Sequence, residues 1–309
     1  MIRKLSELVN EVKGGPRMTL AVAAGEDPAT IHAISRAALE GLIRVVLIGA
    51  QQRIEDLASG HNSEFAKMVK IMHVEDRNET AKVAIQMVHD GEADVVMKGL
   101  VRTSVFMKAI LDKEHGLLPQ GGLLSHAAVM EVPTYPKLLI VSDAAIIPNP
   151  DLDQKIQILK YTIAVANAIG IELPKAALIS AAETVSFKVQ SSVDAAVITA
   201  MAQRKQIKGA IVDGPLALDV SLSPEHCAIK GLESPINGEA DILIFPNIET
   251  ANTFYKATTL LAHGKTASVV VGTTAPVVLT SRADDDDSKF YSIVLAARLA
   301  AGKFFKAFS

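Results

Sequence analysis

Short apolar runs alternate along the chain with longer amphipathic stretches, and this alternation predicts the class of fold. Nine short runs are rich in β-branched or other apolar residues and cover 19–24, 45–49, 71–74, 93–98, 138–142, 176–180, 209–213, 241–245 and 268–272. Between them lie Ala-rich amphipathic stretches, such as 28–39, 79–90, 152–169, 189–204 and 250–263. Apolar runs of this length, separated by helices, are typical of parallel strands covered on both faces. We therefore predict an α/β fold with mainly parallel sheets flanked by helices.

Length and one break in this pattern predict two domains. The chain has 309 residues, and domains commonly contain roughly 100 to 200 residues. Pro148 and Pro150 interrupt regular structure shortly after the run at 138–142. We place the seam there and expect the last helix to return to the first domain. The predicted domains are residues 1–142 plus 283–309 and residues 143–282.

Charge and hydropathy argue against several classes of function. The formal net charge is −3 and tryptophan is absent, so the chain lacks the basic field and stacking platforms of many nucleic-acid binders. Mean hydropathy is +0.28, yet no apolar stretch approaches the roughly 18 residues of a membrane-spanning helix. The N-terminus has no apolar signal core, and Cys227 is the only cysteine. We therefore expect a cytoplasmic protein without intrachain disulfides.

Several common catalytic motifs are missing from the sequence. It contains no GxxxxGK[ST], GxGxxG, GxSxG or HExxH pattern. His126 with Asp143 could join a metal site, but a hydrogen-bonded structural histidine is the favoured interpretation. Cys227 next to His226 could suggest a nucleophile, but adjacent residues on a helix do not face each other. We interpret Cys227 as an inert small residue.

Polar residues follow several predicted strands, where ligands bind in open α/β sheets. Lys98 and Gly99 end one strand, and Thr103 opens the next helix. Such a junction can bind an anion through backbone N–H groups, or it can be a simple turn capped by Thr103. Further along, 247–256 places Asn, Tyr and Lys residues on the first turns of a helix, where they could also be ordinary surface residues.

The segment 272–292 is the most informative part of the chain. A strand-like stretch at 276–280 leads into Ser281 and Arg282, then into four acidic residues at 284–287, then into a helical pattern. In one interpretation Ser281 caps the helix and the acids favour its positive end. In the other, Arg282 binds a phosphate or carboxylate and a nearby carboxylate acts as a base. Both interpretations stay open at this point, and one residue can serve both.

Taken together, the ordered motifs resemble the phosphate acetyl/butyryltransferase family, and most closely its butyryltransferase branch. The resemblance covers nearly the whole chain and is carried by 97–103, 125–126, 171–175, 207–209, 212–219, 246–256 and 271–284. The acetyl branch usually has Asn-Asp at 278–279 and Gly-Cys at 283–284, where this chain has Val-Leu and Ala-Asp. Ala251 departs from both branches, which usually have Gly there.

The resemblance implies a reversible reaction in which acyl-CoA and inorganic phosphate give acyl phosphate and CoA, by direct attack in a ternary complex. It implies CoA as a substrate, no permanently bound cofactor, no metal and a homo-oligomer. It also implies a two-domain fold like that of the isocitrate and isopropylmalate dehydrogenases, with the active site in the cleft between the domains.

The same resemblance implies residue roles. Arg282 would bind the phosphoryl group, and Ser281 would donate to the thioester or phosphate oxygen. Asp284 or Asp287 would be the base that takes the thiol proton of CoA, although an ungapped match to the acetyl branch falls on Ser288. We expect the substrates to be bound by Lys98, Gly99, Thr103, Ser125, His126, Asp143, Asn247, Asn252, Lys256 and Thr273.

Three other functions stay open on the sequence. The first is the same reaction with an acetyl group, which turnover of an acyl-CoA series distinguishes. The second is an NAD-dependent oxidoreductase on the related fold, which would change NAD absorbance on substrate addition. The third is a CoA-binding protein without activity, in which Arg282→Ala would leave turnover at background.

Overall fold

The computed structural model describes residues 2–280 and 285–302. The first part of the chain forms α1 (Leu5–Lys13), β1 (Met18–Ala23), α2 (Pro28–Leu39), β2 (Ile43–Gly49), α3 (Gln51–His61), α4 (Ser63–Met68), β3 (Lys70–His73), α5 (Glu79–His89), β4 (Val95–Lys98) and α6 (Thr103–Ile110). The middle part forms β5 (Ser125–Glu131), β6 (Leu139–Ser142), α7 (Leu152–Ala168), β7 (Lys175–Ile179), α8 (Gln190–Gln203), β8 (Ile211–Leu216), α9 (Leu218–Leu222), α10 (Pro224–Lys230), β9 (Ile242–Ile244) and α11 (Ile248–Leu261). The last part forms β10 (Lys265–Val271), β11 (Val277–Val278) and α12 (Asp286–Ala301). Every predicted run overlaps a strand, and β5 is an addition that the pattern did not indicate.

The chain divides into two compact units. The terminal unit comprises Leu5–Leu124 and Thr266–Ser309, and the central unit comprises Met1–Lys4 and Ser125–Lys265. These boundaries differ from the predicted ones, which lie at residues 143 and 283. The first difference has a physical cause, because β5 pairs antiparallel with β6 and so brings the segment before residue 143 into the central unit.

In the terminal unit the strands run in the order β3-β2-β1-β4-β11-β10. Strand β1 pairs in parallel with β2 and β4, and β11 pairs in parallel with β4. Helix α2 follows β1 after a short loop. It starts with Pro28, which suits the first position of a helix, and Asp27 is its N-cap. The carboxyl ends of β1 and β4 and the first turn of α2 therefore lie at one edge of this sheet.

In the central unit the strands run in the order β5-β6-β9-β7-β8. All pairs except β5 with β6 are parallel among these described strands. Helix α7 begins with a capping box, in which the carboxylate of Asp151 accepts from the Gln154 backbone and the Gln154 side chain accepts from the Asp151 backbone. The α/β class with mainly parallel strands flanked by helices is confirmed. Within the described ranges, every helix is too short or too polar to cross a membrane.

Candidate functional site

Lys98, the last residue of β4, and Gly99, which follows it, lie close against the end of β1. The backbone N–H of Gly99 donates to the Ala23 carbonyl at 2.8 Å. A Cβ atom at position 99 would lie 2.2 Å from the carbonyl oxygen of Ala24, so this approach of two strand ends requires glycine. Lys98 is buried, and its ammonium group donates to the carbonyl oxygens of Gly99 at 3.1 Å and Val101 at 3.4 Å.

The other predicted residues of the terminal unit differ in exposure. Thr103 is exposed and is the first residue of α6, whose N-cap is Arg102. The expectation that Thr103 caps this helix is therefore wrong, because its backbone is already helical. Thr273 is buried, and its hydroxyl donates to the Ala275 carbonyl at 2.7 Å. Its side chain therefore stabilises the turn before β11.

The first turn of α12 contains Asp287, the one predicted catalytic residue that lies within the described part of the chain. The N-cap is Asp285, whose carboxylate accepts from the backbone of Ser288 at 2.7 Å, so the expectation that Ser281 caps this helix is wrong. Asp287 accepts from the guanidinium of Arg36 on α2 at 2.8 Å. Burial lowers the pKa of Arg36, but hydrogen bonds with Asp287 and Glu40 outweigh it and leave that pKa raised. Ser281, Arg282 and Asp284 lie outside the described residues.

In the central unit, the buried carboxylate of Asp143 is surrounded by donors. It accepts from the Ser125 hydroxyl at 3.0 Å and the His126 backbone at 3.1 Å. It also accepts from the backbone N–H groups of the loop that follows β6, those of Ala145, Ile146 and Ile147. The structure thus brings Ser125, His126 and Asp143 together through contacts that hold the loop after β6 against β5. No three His, Cys, Asp or Glu side chains cluster as a metal site within residues 2–280 and 285–302.

Helix α11 presents the remaining predicted residues. Asn247 is its N-cap, and its side-chain oxygen accepts from the backbone and the hydroxyl of Thr250. The Asn252 amide donates to the Ala144 carbonyl at 2.9 Å, which ties α11 to the loop held by Asp143. The ring of Tyr255 stands edge-on to His126 with 6.4 Å between centroids. Lys256 is exposed on the same helix.

Two further residues, Cys227 and Lys289, are almost completely buried. Cys227 is 1% exposed and contacts the Val220 carbonyl oxygen, and burial raises the pKa of its thiol. Its interpretation as an inert small residue agrees with this burial. Lys289 on α12 is 3% exposed and lines a cavity with Lys98, although the sequence analysis did not select it. The signal was present, because 290–297 is apolar apart from Ser292, and a helix apolar on all sides is normally buried.

Comparisons with known proteins agree with this architecture. A family model described as phosphate acetyl/butaryl transferase matches residues 75–297. Phosphate butyryltransferase from Clostridium acetobutylicum is 41% identical over 98% of this chain and 100% of its own. Phosphate acetyltransferase from Thermotoga maritima is 42% identical over 96% of this chain and 99% of its own.

The fold is also found among solved structures. A branched-chain phosphotransacylase from Enterococcus faecalis is 34% identical, with a TM-score of 0.81, and the match covers 92% of this chain and 99% of that one. The likeness therefore extends across the described fold as well as the sequence motifs. The chain belongs to the phosphate acetyl/butaryl transferase family and is a phosphate acyltransferase.

Proposed function

We propose that this phosphate acyltransferase moves a butyryl-sized acyl group between CoA and inorganic phosphate. The observation that carries the proposal is the full-length match to phosphate butyryltransferase, together with a buried lysine at the end of a parallel strand, where such folds bind ligands. An acetyl group is the second candidate, because a phosphate acetyltransferase is similar to the same degree.

The reaction proceeds in one displacement within a ternary complex. The sulfur of CoA attacks the carbonyl carbon of the acyl phosphate, a C–S bond forms, and the C–O bond to phosphate breaks with its electron pair on the phosphate. A free thiol has a pKa of roughly 8.5, so a base that takes its proton assists at neutral pH. Arg282 offsets the charge on the leaving phosphate, and Ser281 donates to an oxygen of the reacting group.

Of the two candidate bases, Asp284 is the stronger proposal. Asp287 is held by the guanidinium of Arg36 at 2.8 Å, so its carboxylate already has a partner and would have to leave it to reach a thiol. Ser288 is a third candidate, because an ungapped match to the acetyl branch places the family's base at this position. A serine hydroxyl is not basic at neutral pH, so Ser288 would serve in positioning.

The proposed substrate-binding residues fall into two groups. Lys98, Gly99, Thr103 and Thr273 belong to the terminal unit, and Ser125, His126, Asn252 and Lys256 belong to the central unit. Asp143 and Asn247 act in the second group by holding the backbone, since their side-chain oxygens already accept several hydrogen bonds. The finer assignment of the fold to the isocitrate dehydrogenase type is part of this proposal.

The protein acts in the cytoplasm as a homo-oligomer, with CoA as substrate and no permanent cofactor or metal. Self-association would bury large apolar side chains that are strongly exposed in the central unit, those of Phe187, Ile229, Leu260 and Leu261, and removing apolar area from water is favourable. Gel filtration with light scattering tests this point, and a monomeric mass at micromolar concentration would contradict it.

Acyl-chain choice is tested by phosphate-dependent release of CoA from acetyl-, propionyl-, butyryl-, isobutyryl- and valeryl-CoA. A pocket fitted to butyryl discriminates by about 1 to 3 kcal/mol per methylene. The expected kcat/KM therefore peaks at butyryl or isobutyryl and falls at least roughly tenfold for acetyl. A maximum at acetyl-CoA would favour the second candidate.

A further inference from the structure

Two oppositely charged side chains are buried against each other in the central unit, and the proposed reaction uses neither. The ammonium group of Lys155 on α7 lies 2.6 Å from the carboxylate of Asp194 on α8. Lys155 is 7% exposed and Asp194 is 6% exposed. The second oxygen of the Asp194 carboxylate accepts from the side-chain amide of Gln190 at 2.7 Å. Gln190 thus fixes the direction of the carboxylate that joins the start of α8 to the start of α7.

The ion pair lies at the edge of the central sheet where this kind of fold binds ligands. Both of its residues line a narrow cavity of about 10 Å³ together with Ile179 and Ile244, which end β7 and β9, and with Pro246. The carboxyl ends of the strands are the edge at which ligands bind in open α/β sheets. Pro246 directly precedes Asn247, one of the proposed substrate-binding residues.

Stability alone does not account for this pair. Two charges lose their hydration on burial, and apolar residues of similar volume often stabilise a fold equally well or better. A buried ion pair differs from such apolar residues in its geometry, because a short hydrogen bond between charged groups restricts both distance and direction. The pair therefore fixes the start of α7 against α8 more narrowly than apolar packing would.

Hydrogen bonds connect Lys155 to the loop that precedes α7. Its backbone N–H donates to the Asp151 carbonyl at 2.9 Å, and Asp151 is the N-cap of α7. The loop 143–150 ends directly before this residue. A displacement of Lys155 would therefore move the end of the loop.

The same loop accepts two hydrogen bonds from α11, the helix that carries proposed substrate-binding residues. The Asn252 amide donates to the Ala144 carbonyl at 2.9 Å, and the Ile248 backbone N–H donates to the Pro148 carbonyl at 2.9 Å. The loop 143–150 thus holds the first turns of α11. A continuous series of contacts leads from the ion pair through this loop to α11.

We infer that Lys155 and Asp194 are positioning residues: their ion pair sets the position of the loop 143–150 and, through this loop, the position of Asn252 and Lys256 for binding acyl-CoA. The inference rests on the proposed function, which assigns Asn252 and Lys256 to the substrates. The two charged groups act without touching a substrate, because both are buried and paired with each other.

The test replaces the ion pair by apolar residues of similar shape, in the double variant Lys155→Met/Asp194→Leu. The matched control, Lys175→Met/Glu239→Leu, removes another ion pair of 2.6 Å in the same unit. Lys175 is the first residue of β7, so the control pair lies at the opposite edge of the sheet. Tm is measured by circular dichroism, and kcat and KM for butyryl-CoA are measured at saturating phosphate.

The double variant is expected to keep a Tm close to that of the wild type. Its KM for butyryl-CoA should nevertheless rise at least roughly tenfold, because small displacements of positioned groups are costly. Its kcat should change less, and the control should match the wild type in both constants. A purely structural ion pair would leave KM unchanged once the Tm is retained, and this result would overturn the inference. An equal rise of KM in the control would also overturn it.

Two further measurements cover the cases in which this comparison fails. If the double variant does not fold, Gln190→Ala is the second variant, because Gln190 is exposed and holds only one oxygen of Asp194. Its KM should rise at least roughly threefold, and an unchanged KM there counts against positioning. Failure of the proposed function is separate, because it requires that the wild-type chain itself release no CoA with phosphate. The inference is then tested by the Kd for CoA in titration calorimetry, and equal values in the wild type and the variant would overturn it.

Discussion

The guanidinium of Arg36 on α2 lies 2.8 Å from the carboxylate of Asp287 on α12. The same guanidinium stacks 3.7 Å from the ring centroid of Phe290, one turn further along α12. Arg36 thus fixes the first turn of the helix that follows the predicted catalytic segment. Because the Asp287 carboxylate is occupied by this contact, the acidic run at 284–287 contains residues with different tasks.

This relationship separates the effects of two isosteric substitutions. Asp284→Asn is expected to lower kcat by roughly 100-fold or more, the usual contribution of a general base. Asp287→Asn should lower kcat less than roughly tenfold and reduce the free energy of unfolding by up to about 1 kcal/mol, because a partly exposed ion pair contributes little. Steady-state kinetics and denaturant unfolding measure the two effects. If Asp287→Asn abolishes turnover and Asp284→Asn does not, Asp287 is the base.

Position 99 is expected to tolerate only glycine. In Gly99→Ala the added methyl group meets the Ala24 carbonyl, so β4 must move away from β1 at a cost of about 1 to 3 kcal/mol of unfolding free energy. Gly60→Ala is the matched control, because a Cβ atom at position 60 has no neighbour within 4 Å among the described residues. That control should be neutral or slightly stabilising. Equal stability of the two variants in urea unfolding would contradict the packing described at β4.

The buried Asp143 is expected to contribute more to the stability of the fold than an exposed aspartate does. Asp143→Asn turns one acceptor oxygen into a donor that faces the donors of the loop after β6. The free energy of unfolding of the protein should therefore fall by roughly 2 to 3 kcal/mol. Asp153→Asn makes the same chemical change at an exposed position on α7 and should change stability by less than about 0.5 kcal/mol. A stable Asp143→Asn variant with weakened CoA binding would instead indicate direct substrate contact.

The single cysteine should not react while the protein is folded. Burial raises the pKa of the Cys227 thiol, so at pH 8 it stays protonated and inaccessible, and iodoacetamide should label it at least roughly 100-fold more slowly than a free thiol. Unfolding in urea should restore the reaction. Full activity after incubation with iodoacetamide is the companion expectation. Loss of activity at one label per chain would show that Cys227 takes part.

The parallel strands could be predicted from sequence because each is a continuous apolar run between helices. Strand β5 could not, since Ser125–Glu131 begins with two polar residues and has adjacent alanines, which are poor strand formers. Its pairing with β6 is a non-local contact, and that contact moves the observed boundary of the units from 143 to 125.

The candidate site, too, could be predicted only in part from the sequence. Motifs identified the residue types at Lys98, Ser125 and Asp143, because polar residues at strand ends are informative by themselves. They could not show that Asp143 would be surrounded by backbone donors, or that Lys289 would share a cavity with Lys98. Both facts depend on elements that are distant in sequence. The N-cap of α12 is Asp285 and not Ser281. The sequence could not show this, because each of the four consecutive acids is also a suitable N-cap residue.

The most direct measurement follows both products of the wild-type reaction and of Arg282→Ala. The full-length protein is incubated with butyryl-CoA, with and without phosphate, and CoA thiol and acyl phosphate are quantified together. We predict that the two products form in equal amounts and only with phosphate, and that the rate falls at least roughly 100-fold in Arg282→Ala. Release of CoA without phosphate, or equal rates in the wild type and the variant, would contradict this prediction.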